Sequence, residues 1–318
     1  MSNRTVSRVL QAPAVILLLI WMIVPLSMTL FFSFIRYVLS SLNRPEWTTP
    51  SISNWRGFGN YEFVLNSKDF VFAIQNSLLI VGSILFLTVT FGVLIAVLIN
   101  KAFPGRGIVR VLLISPFFVM PAVNAVLWIN MILDPVLGLQ GLAVDGLNGL
   151  IAGMKDLPAI GWFFSLWPTL EPISFRATQT SAYAVIVMVT WQWTPFAVLI
   201  FMTSLQSEDQ QQKEAAILDG AGAWSQFRFL TLPHLGRPIA IVVMIQAIFH
   251  LSLYAEIELY AEIEIVSRGN GNKNLPYLIG EFANNNIGAA SATGIFAVIL
   301  ANIIAIFLLR MVGKTLMD

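Results

Sequence analysis

Nine side chains have the chemistry to bind a small molecule: Asn124, Trp128 and Asn130; Trp191, Gln192 and Trp193; Gln246, His250 and Tyr254. Amides, an imidazole and a phenol donate and accept hydrogen bonds, and indole faces lie against C–H surfaces. Such groups suit a neutral molecule rich in hydroxyls. Gln246 and His250 are four residues apart and share one helix face. Each residue also has a plainer reading. Small polar groups inside an apolar bundle often bridge helices, and tryptophans more often pack or anchor at an interface. Both readings stay open at the level of sequence.

Catalytic chemistry is harder to find. The sequence contains no GxxxxGK[ST] phosphate loop, no HExxH and no GxSxG. Gly269-Asn270-Gly271-Asn272-Lys273 is glycine-rich but has the wrong spacing for phosphate. With no cysteine and only two histidines, His234 and His250, neither a thiolate nor a histidine-cluster metal site is available. Neither a cofactor nor an enzymatic activity is expected. The long apolar runs carry almost no charge, so a proton relay of Asp, Glu and Lys has little to work with. What remains is a passive pathway, or one powered by another chain.

The stretch Ser207–Trp224 is built differently. Ser207 with Gln210 forms a capping box, and Glu208 and Asp209 fall in the first turn, where the helix dipole favours acids. Gly220 and Gly222 can end the helix. This predicts a short helix of about three turns, thin at Ala215 and Ala216, so that another protein can approach its backbone. Asp219 is placed to cap a second helix, Ala221 to Phe229, ending before Pro233. A mere linker has no need of a capped helix and a hinge glycine.

Composition says what must position these groups. Of 318 residues, 57% are hydrophobic and 11% charged, with a net charge of +1; mean hydropathy is +0.78. Soluble domains carry about 25% charged residues, so a soluble enzyme, a disordered chain and a nucleic-acid binder are excluded, and the partner is a lipid bilayer. Crossing about 30 Å of hydrocarbon takes roughly 20 apolar residues. Six such runs occur: Val9–Ile35, Phe70–Asn100, Arg110 to Asp134, Arg176 to Glu208, Arg237 to Glu256, and Glu281 to Arg310. Leu157–Leu170 is too short, carries Pro158 and Pro168, and reads as interfacial. The first run is too long for a signal-peptide core and reads as an uncleaved span, with a kink at Pro25. Lys101, Arg106 and Arg110 lie close together in one tight loop, which favours both termini inside.

Glu214-Ala215-Ala216, Gly220, Leu230, Leu232 and Pro233 match EAA-x(3)-G-x(9)-I-x-L-P, with Leu230 in place of Ile. This pattern resembles the signature loop of bacterial ABC importer permeases. The resemblance extends to Gly57-Phe58-Gly59-Asn60-Tyr61, to Pro116, Pro121 and Trp128, and to Thr190-Trp191-Gln192-Trp193-Thr194-Pro195-Phe196. It also takes in Ala289-Ala290-Ser291-Ala292. Within the carbohydrate (maltose-type) branch, Gly105–Arg110, Ser115–Pro121 and Thr231–Leu235 look most like sorbitol/mannitol permeases.

The resemblance implies an all-α membrane protein with six transmembrane helices in the type I importer bundle, as a single domain over 1–318 with both termini cytoplasmic. It implies a cytoplasmic coupling loop over 206–237 and a long periplasmic loop over 135–176. The implied partners are a second permease subunit, two cytoplasmic ABC ATPases and a periplasmic sugar-binding protein. Glu214 is then the residue that reaches a basic group on the ATPase. Ala215, Ala216, Gly220 and Ala221 permit close contact, Asp219 fixes the turn, and Leu232 and Pro233 complete the motif. A polyol is the implied substrate class. A disaccharide or glycerol phosphate is the alternative within the family, and a stand-alone channel or secondary carrier the alternative outside it. An anionic substrate should want an arginine within a span, and none is present.

One feature departs from the family. Leu253–Glu258 reads LYAEIE, and Leu259–Glu264 repeats it. Six extra residues turn a helix by about 240°, so either the repeat bulges or the fifth span ends before it. Its four glutamates suggest that the second copy lies outside the membrane.

Overall fold

The structure, a computed structural model, describes residues 3–39, 50–158, 161–175, 180–263 and 273–317. Among these no β-strand occurs, only two isolated bridges. In chain order the helices are α1 (Asn3–Ser33), α2 (Gly59–Leu65), α3 (Lys68–Asn100), α4 (Arg106–Ile114) and α5 (Pro121–Leu127). Next come α6 (Leu139–Lys155), α7 (Gly161–Ser165), α8 (Ser181–Gln206), α9 (Gln210–Leu218) and α10 (Ala223–Gln226). The chain closes with α11 (Leu232–His234), α12 (Gly236–Leu251), α13 (Ala255–Ile263), α14 (Leu275–Ala283) and α15 (Ile287–Met317).

Among the described residues four helices are long and apolar enough to cross a bilayer by themselves: Leu10–Ser33, Lys68–Asn100, Ser181–Gln206 and Ile287–Arg310. The third expected span falls within a bent pair, and the fifth is α12, which is itself bent away from the short helices before it. Arg106–Phe118 and Pro121–Ile132 meet at 103°, and Ala223–His234 and Gly236–Leu251 at 55°. The third expected span is therefore not a straight rod, and its prolines explain why. A residue before proline is pushed out of the helical region, and Met120 is extended at φ −62°, ψ 142° ahead of Pro121. Pro116 heads a 3₁₀ turn, Ser115–Phe118. Beyond α5 the chain loosens into a π-helical turn, Trp128–Ile132.

The fifth span answers the question set by the repeat. α12 ends at Leu251 and α13 starts at Ala255. The helix stops before the repeat, so no helical register has to absorb it. The first LYAEIE copy covers the turn and the start of α13. The second continues along α13 to Ile263, and Glu264 lies outside the described residues, as does the glycine-rich stretch up to Asn272. α13 packs on α5, with Ile257 and Tyr260 buried.

The chain divides into two compact units. One comprises Met1–Ile74 and Leu275–Asn302, the other Gln75–Asn274 and Ile303–Asp318. In the first, Val64, Phe70, Ala73, Leu275, Leu278, Ala289 and Ala292 form the core. Buried Asn60 donates to the Ser33 and Ile35 carbonyls at 3.0 and 2.7 Å. Gly288 sits against the same place, where a Cβ would lie 2.6 Å from the Ile35 carbonyl and 2.7 Å from Asn60 Nδ2. The Gly57–Tyr61 motif and the run before the last span are thus packing partners. In the second unit, Val93, Ala96, Ile99, Ala197, Val198, Phe201 and Leu235 are among the residues that knit α3, α8 and the start of α12.

The segment expected as a long loop folds locally. Leu157–Leu170 is not one helix, and α6 is bridged to the chain beyond α7 by side-chain amides. Asn148 donates to the Leu170 carbonyl and accepts from the Leu170 N–H, both at 2.9 Å, and Gln140 donates to the Ile173 carbonyl at 2.7 Å. Its far flank, Arg176, lies outside the described residues.

Candidate functional site: a capped surface helix and a polar cavity

The residues singled out in the sequence fall in two places. The first joins α8 to α12. α9 starts from Asp209, whose carboxylate accepts the Gln211 N–H at 2.8 Å. The cap is therefore Asp209, not Ser207 with Gln210. Ser207 is still finishing α8: its N–H and its hydroxyl both reach the Ser204 carbonyl, at 3.0 and 2.8 Å. At the other end Gly220 has φ +78°, a left-handed conformation open to glycine at little cost. The Ala221 N–H donates to the Ala216 carbonyl at 2.9 Å, and the Gly220 N–H to the Ile217 carbonyl at 3.0 Å. This is the Schellman pair, which satisfies carbonyls that a helix end leaves open. Asp219 is the C-cap residue and donates its N–H to the Ala215 carbonyl at 3.0 Å.

The second short helix also differs from expectation. Gly222 stands at its N-cap instead of Asp219, and it starts at Ala223. It does not stop before Pro233. A π-helical segment, Phe227–Thr231, shifts the hydrogen-bond register, and Pro233 then sits in the first turn of α11. A missing N–H costs little in a first turn. Glu214 and Ala215 are exposed and Ala216 half-buried, all on α9. Leu232 and Pro233 lie apart from them, exposed on α11. Around α9 the large apolar side chains also face outward, with Leu218 88% and Trp224 70% exposed.

Glu208 is the surprise of this segment. Expected in the first turn of the helix, it precedes the cap and is only 7% exposed. Its carboxylate accepts from the Thr231 hydroxyl at 3.0 Å and lies 2.9 Å from Lys213 Nζ.

The second place is a cavity of about 530 Å³, within the size range of small-molecule sites. Gln192, Trp193, His250 and Tyr254 line it, together with Phe117, Phe249 and Glu256. Gln192 is fixed from behind: its Nε2 donates to the Val119 carbonyl at 2.5 Å and its Oε1 accepts from Asn124 Nδ2 at 3.0 Å. Trp193 stands edge-on to His250 at 4.9 Å and packs on Phe117 and Phe249 at 5.6 and 5.2 Å. His250 Nε2 is buried without a hydrogen-bond partner among the described residues. Tyr254 donates to the Glu258 carboxylate. Glu256, outside the candidate spans, has its carboxyl pushed above the usual carboxylate value by burial, against the pull of a backbone hydrogen bond.

The remaining candidates fall elsewhere. Asn124 is fully buried behind Gln192. Gln246 is buried as a helix bridge, accepting from Thr88 at 2.6 Å and donating to the Trp193 carbonyl at 3.4 Å. Trp128 and Trp191 meet edge to face at 5.7 Å and line a different, more apolar cavity of about 440 Å³. Asn130 is exposed on the π-turn and lines neither cavity. Sequence reasoning missed Glu256, Phe117 and Phe249. Glu256 reads as a flanking charge until the break after Leu251 turns it back to the cavity. No glycine or proline marks that break; the tandem repeat is its one signal.

An all-helical chain with several membrane-length apolar helices, a capped helix between two of them and a polar cavity defines a membrane transport subunit. The model for the binding-protein-dependent transport system inner membrane component family matches residues 6–317, and the chain belongs to that family. It is 32% identical over 239 residues to a probable ABC transporter permease of Sinorhizobium fredii, covering 75% of this chain and 67% of that one. It is 26% identical to a trehalose/maltose transport system permease of Thermococcus litoralis, over 73% of this chain and 68% of that one. A third relative, the sn-glycerol-3-phosphate transport system permease of Agrobacterium fabrum, is 23% identical over 98% of this chain and 96% of its own. Among solved structures, a bacterial alginate ABC transporter with its alginate-bound periplasmic protein superposes with a TM-score of 0.70. That match covers 98% of this chain and 94% of the other at 20% identity, a likeness of fold.

Proposed function

We propose that this chain is the permease subunit of an ATP-driven importer for a neutral carbohydrate. It sits in the bacterial cytoplasmic membrane with both termini inside. It pairs with a second permease, two ATPase subunits and a periplasmic binding protein, and catalyses no reaction of its own. One observation carries the reading. α8 and α12 both line the polar cavity, through Gln192 and Trp193 on one and Phe249 and His250 on the other. The segment joining these two helices is the one that carries the exposed, double-capped α9. A stiff helix seated on an ATPase passes a displacement to both walls of the cavity, whereas a slack loop absorbs it. In this reading Glu214 reaches a basic group on the ATPase, and Ala215, Ala216, Gly220 and Ala221 leave room for close approach.

The cavity favours an uncharged substrate. Among the described residues no lysine or arginine lines it, and Glu256 does. A phosphate or uronate would meet a carboxylate with no counter-charge. A polyol such as sorbitol or mannitol fits the motifs of the chain; a disaccharide is supported by relatives such as the trehalose/maltose transport system permease. The test is uptake by the complete importer in proteoliposomes, with labelled sorbitol, mannitol, trehalose, maltose and sn-glycerol-3-phosphate. ATP-dependent uptake of a neutral sugar and none of the phosphate is expected. Transport by the purified chain alone, or preference for the phosphate, would overturn the reading.

A further inference from the structure

Buried carboxylates are costly and persist where partners compensate them. Glu208 follows the C-cap residue of α8, Ser207, and its two oxygens face two different elements. One accepts from Thr231, the last residue of the π-segment that leads into α11 and α12. The other lies 2.9 Å from Lys213 of α9, as an ion pair without the angle of a directed hydrogen bond. A second tie runs alongside: His234 Nε2 lies 2.9 Å from the Ser204 carbonyl. The chain leaving α8, the body of α9 and the π-segment that leads through α11 to the foot of α12 thus converge on one side chain.

We propose that Glu208 is a positioning residue that locks α9 to the foot of α12, so that the two move as one body when α9 is displaced. This rests on the reading of α9 as the helix that docks on the ATPase. Without the lock, α9 is connected to α12 through Gly220 and Gly222, both of which tolerate rotation. ATP hydrolysis then moves α9 without moving the cavity wall. The hydroxyl of Thr231 carries the link to α12, and Lys213 neutralises the charge that the link requires.

The test is the number of sugar molecules imported per ATP hydrolysed by the reconstituted importer. Glu208→Ala and Thr231→Val are expected to lower this ratio by about tenfold, the equilibrium worth of one hydrogen bond to a charged group, while ATPase activity persists. Thr231→Ser keeps the hydroxyl and should restore the ratio, and Lys213→Met should lower it less than Glu208→Ala. A residue that only supports the fold would reduce the amount of assembled complex and leave the ratio of the remainder unchanged. A wild-type ratio in Thr231→Val, judged on assembled complex, overturns the proposal even where Glu208→Ala fails to assemble. Absence of ATP-driven uptake in the wild-type complex overturns the importer reading, and the lock with it.

Discussion

The joining segment 206–237 and the cavity are reached by the same two helices, α8 and α12, yet they are built by opposite means. The segment is continuous in sequence and writes its geometry in local signals: an acidic cap, a positive-φ glycine, a pair of alanines. The cavity is assembled from residues up to 139 positions apart, Phe117 to Glu256, and none of them is informative alone. The segment is soft in packing and exact in capping; the cavity is fixed by hydrogen bonds that converge from α5, α8 and the chain before Pro121. A surface that meets a protein partner can be encoded as a string. A pocket for a small molecule needs the whole bundle.

The largest effects should come from breaking the string. Glu214→Lys reverses the charge at the exposed centre of α9 and is expected to abolish ATP-driven uptake with the protein still in the membrane. Uptake assays and membrane fractionation check this together. Gly220→Val should come close to it, for a separable reason. A Cβ at Gly220 meets nothing within 4 Å, so sterics from the surroundings are not at issue. The backbone is, because a left-handed residue costs about 1–2 kcal/mol outside glycine. Gly220→Asn, which tolerates that conformation, should retain most of the uptake that Gly220→Val loses. Equal losses in the two variants would mean that the helix stop is not what matters.

The contrast also explains what was legible. The membrane class, the apolar runs, α9 and the end of α9 at Gly220 follow from composition and local chemistry. The true cap was misplaced by two residues because Ser207 and Asp209 are both good caps, and only the length of α8 decides between them. The 103° bend in the third span was not legible, because two prolines in an apolar run signal a bend without giving its angle. Of the nine candidate binding residues, four line the cavity, and the rest support it or lie elsewhere. Asn124 and Gln246 show why: an amide at membrane depth looks the same in sequence whether it faces a ligand or another helix. The burial of Glu208 was not legible either, since an acid beside a cap looks the same in sequence whether or not another element covers it.

A smaller effect is expected at the cavity wall. Gln192→Ala removes one lining amide and leaves buried Asn124 with only its longer bond to the Met188 carbonyl at 3.4 Å, a cost of about 1–3 kcal/mol. It should lower both the melting temperature of the complex in detergent and the rate of sugar uptake. Asn124→Ala should reproduce the loss of stability, and lose uptake only so far as Gln192 depends on it for orientation. Comparing the two variants on both scales separates a ligand-facing amide from its support. If Asn124→Ala costs more uptake than Gln192→Ala at equal stability, the two roles are reversed.

The smallest effect concerns charge. Burial raises the Glu256 carboxyl, so the folded state holds that proton more tightly than the unfolded chain. The stabilisation this gives is complete below the ordinary carboxylate range and is lost as pH rises through the raised value. Glu256→Gln keeps the shape and removes the charge. It should therefore be slightly more stable than the wild type at neutral pH and indistinguishable at acidic pH, in melting curves taken at both. The same variant separates stability from selectivity. If the carboxylate screens the cavity against anions, Glu256→Gln should raise sn-glycerol-3-phosphate uptake from its low level and leave neutral sugars little changed. An altered melting curve with unaltered selectivity would leave Glu256 a structural cost of the turn after α12, and the preference for neutral substrates would then rest on the binding protein.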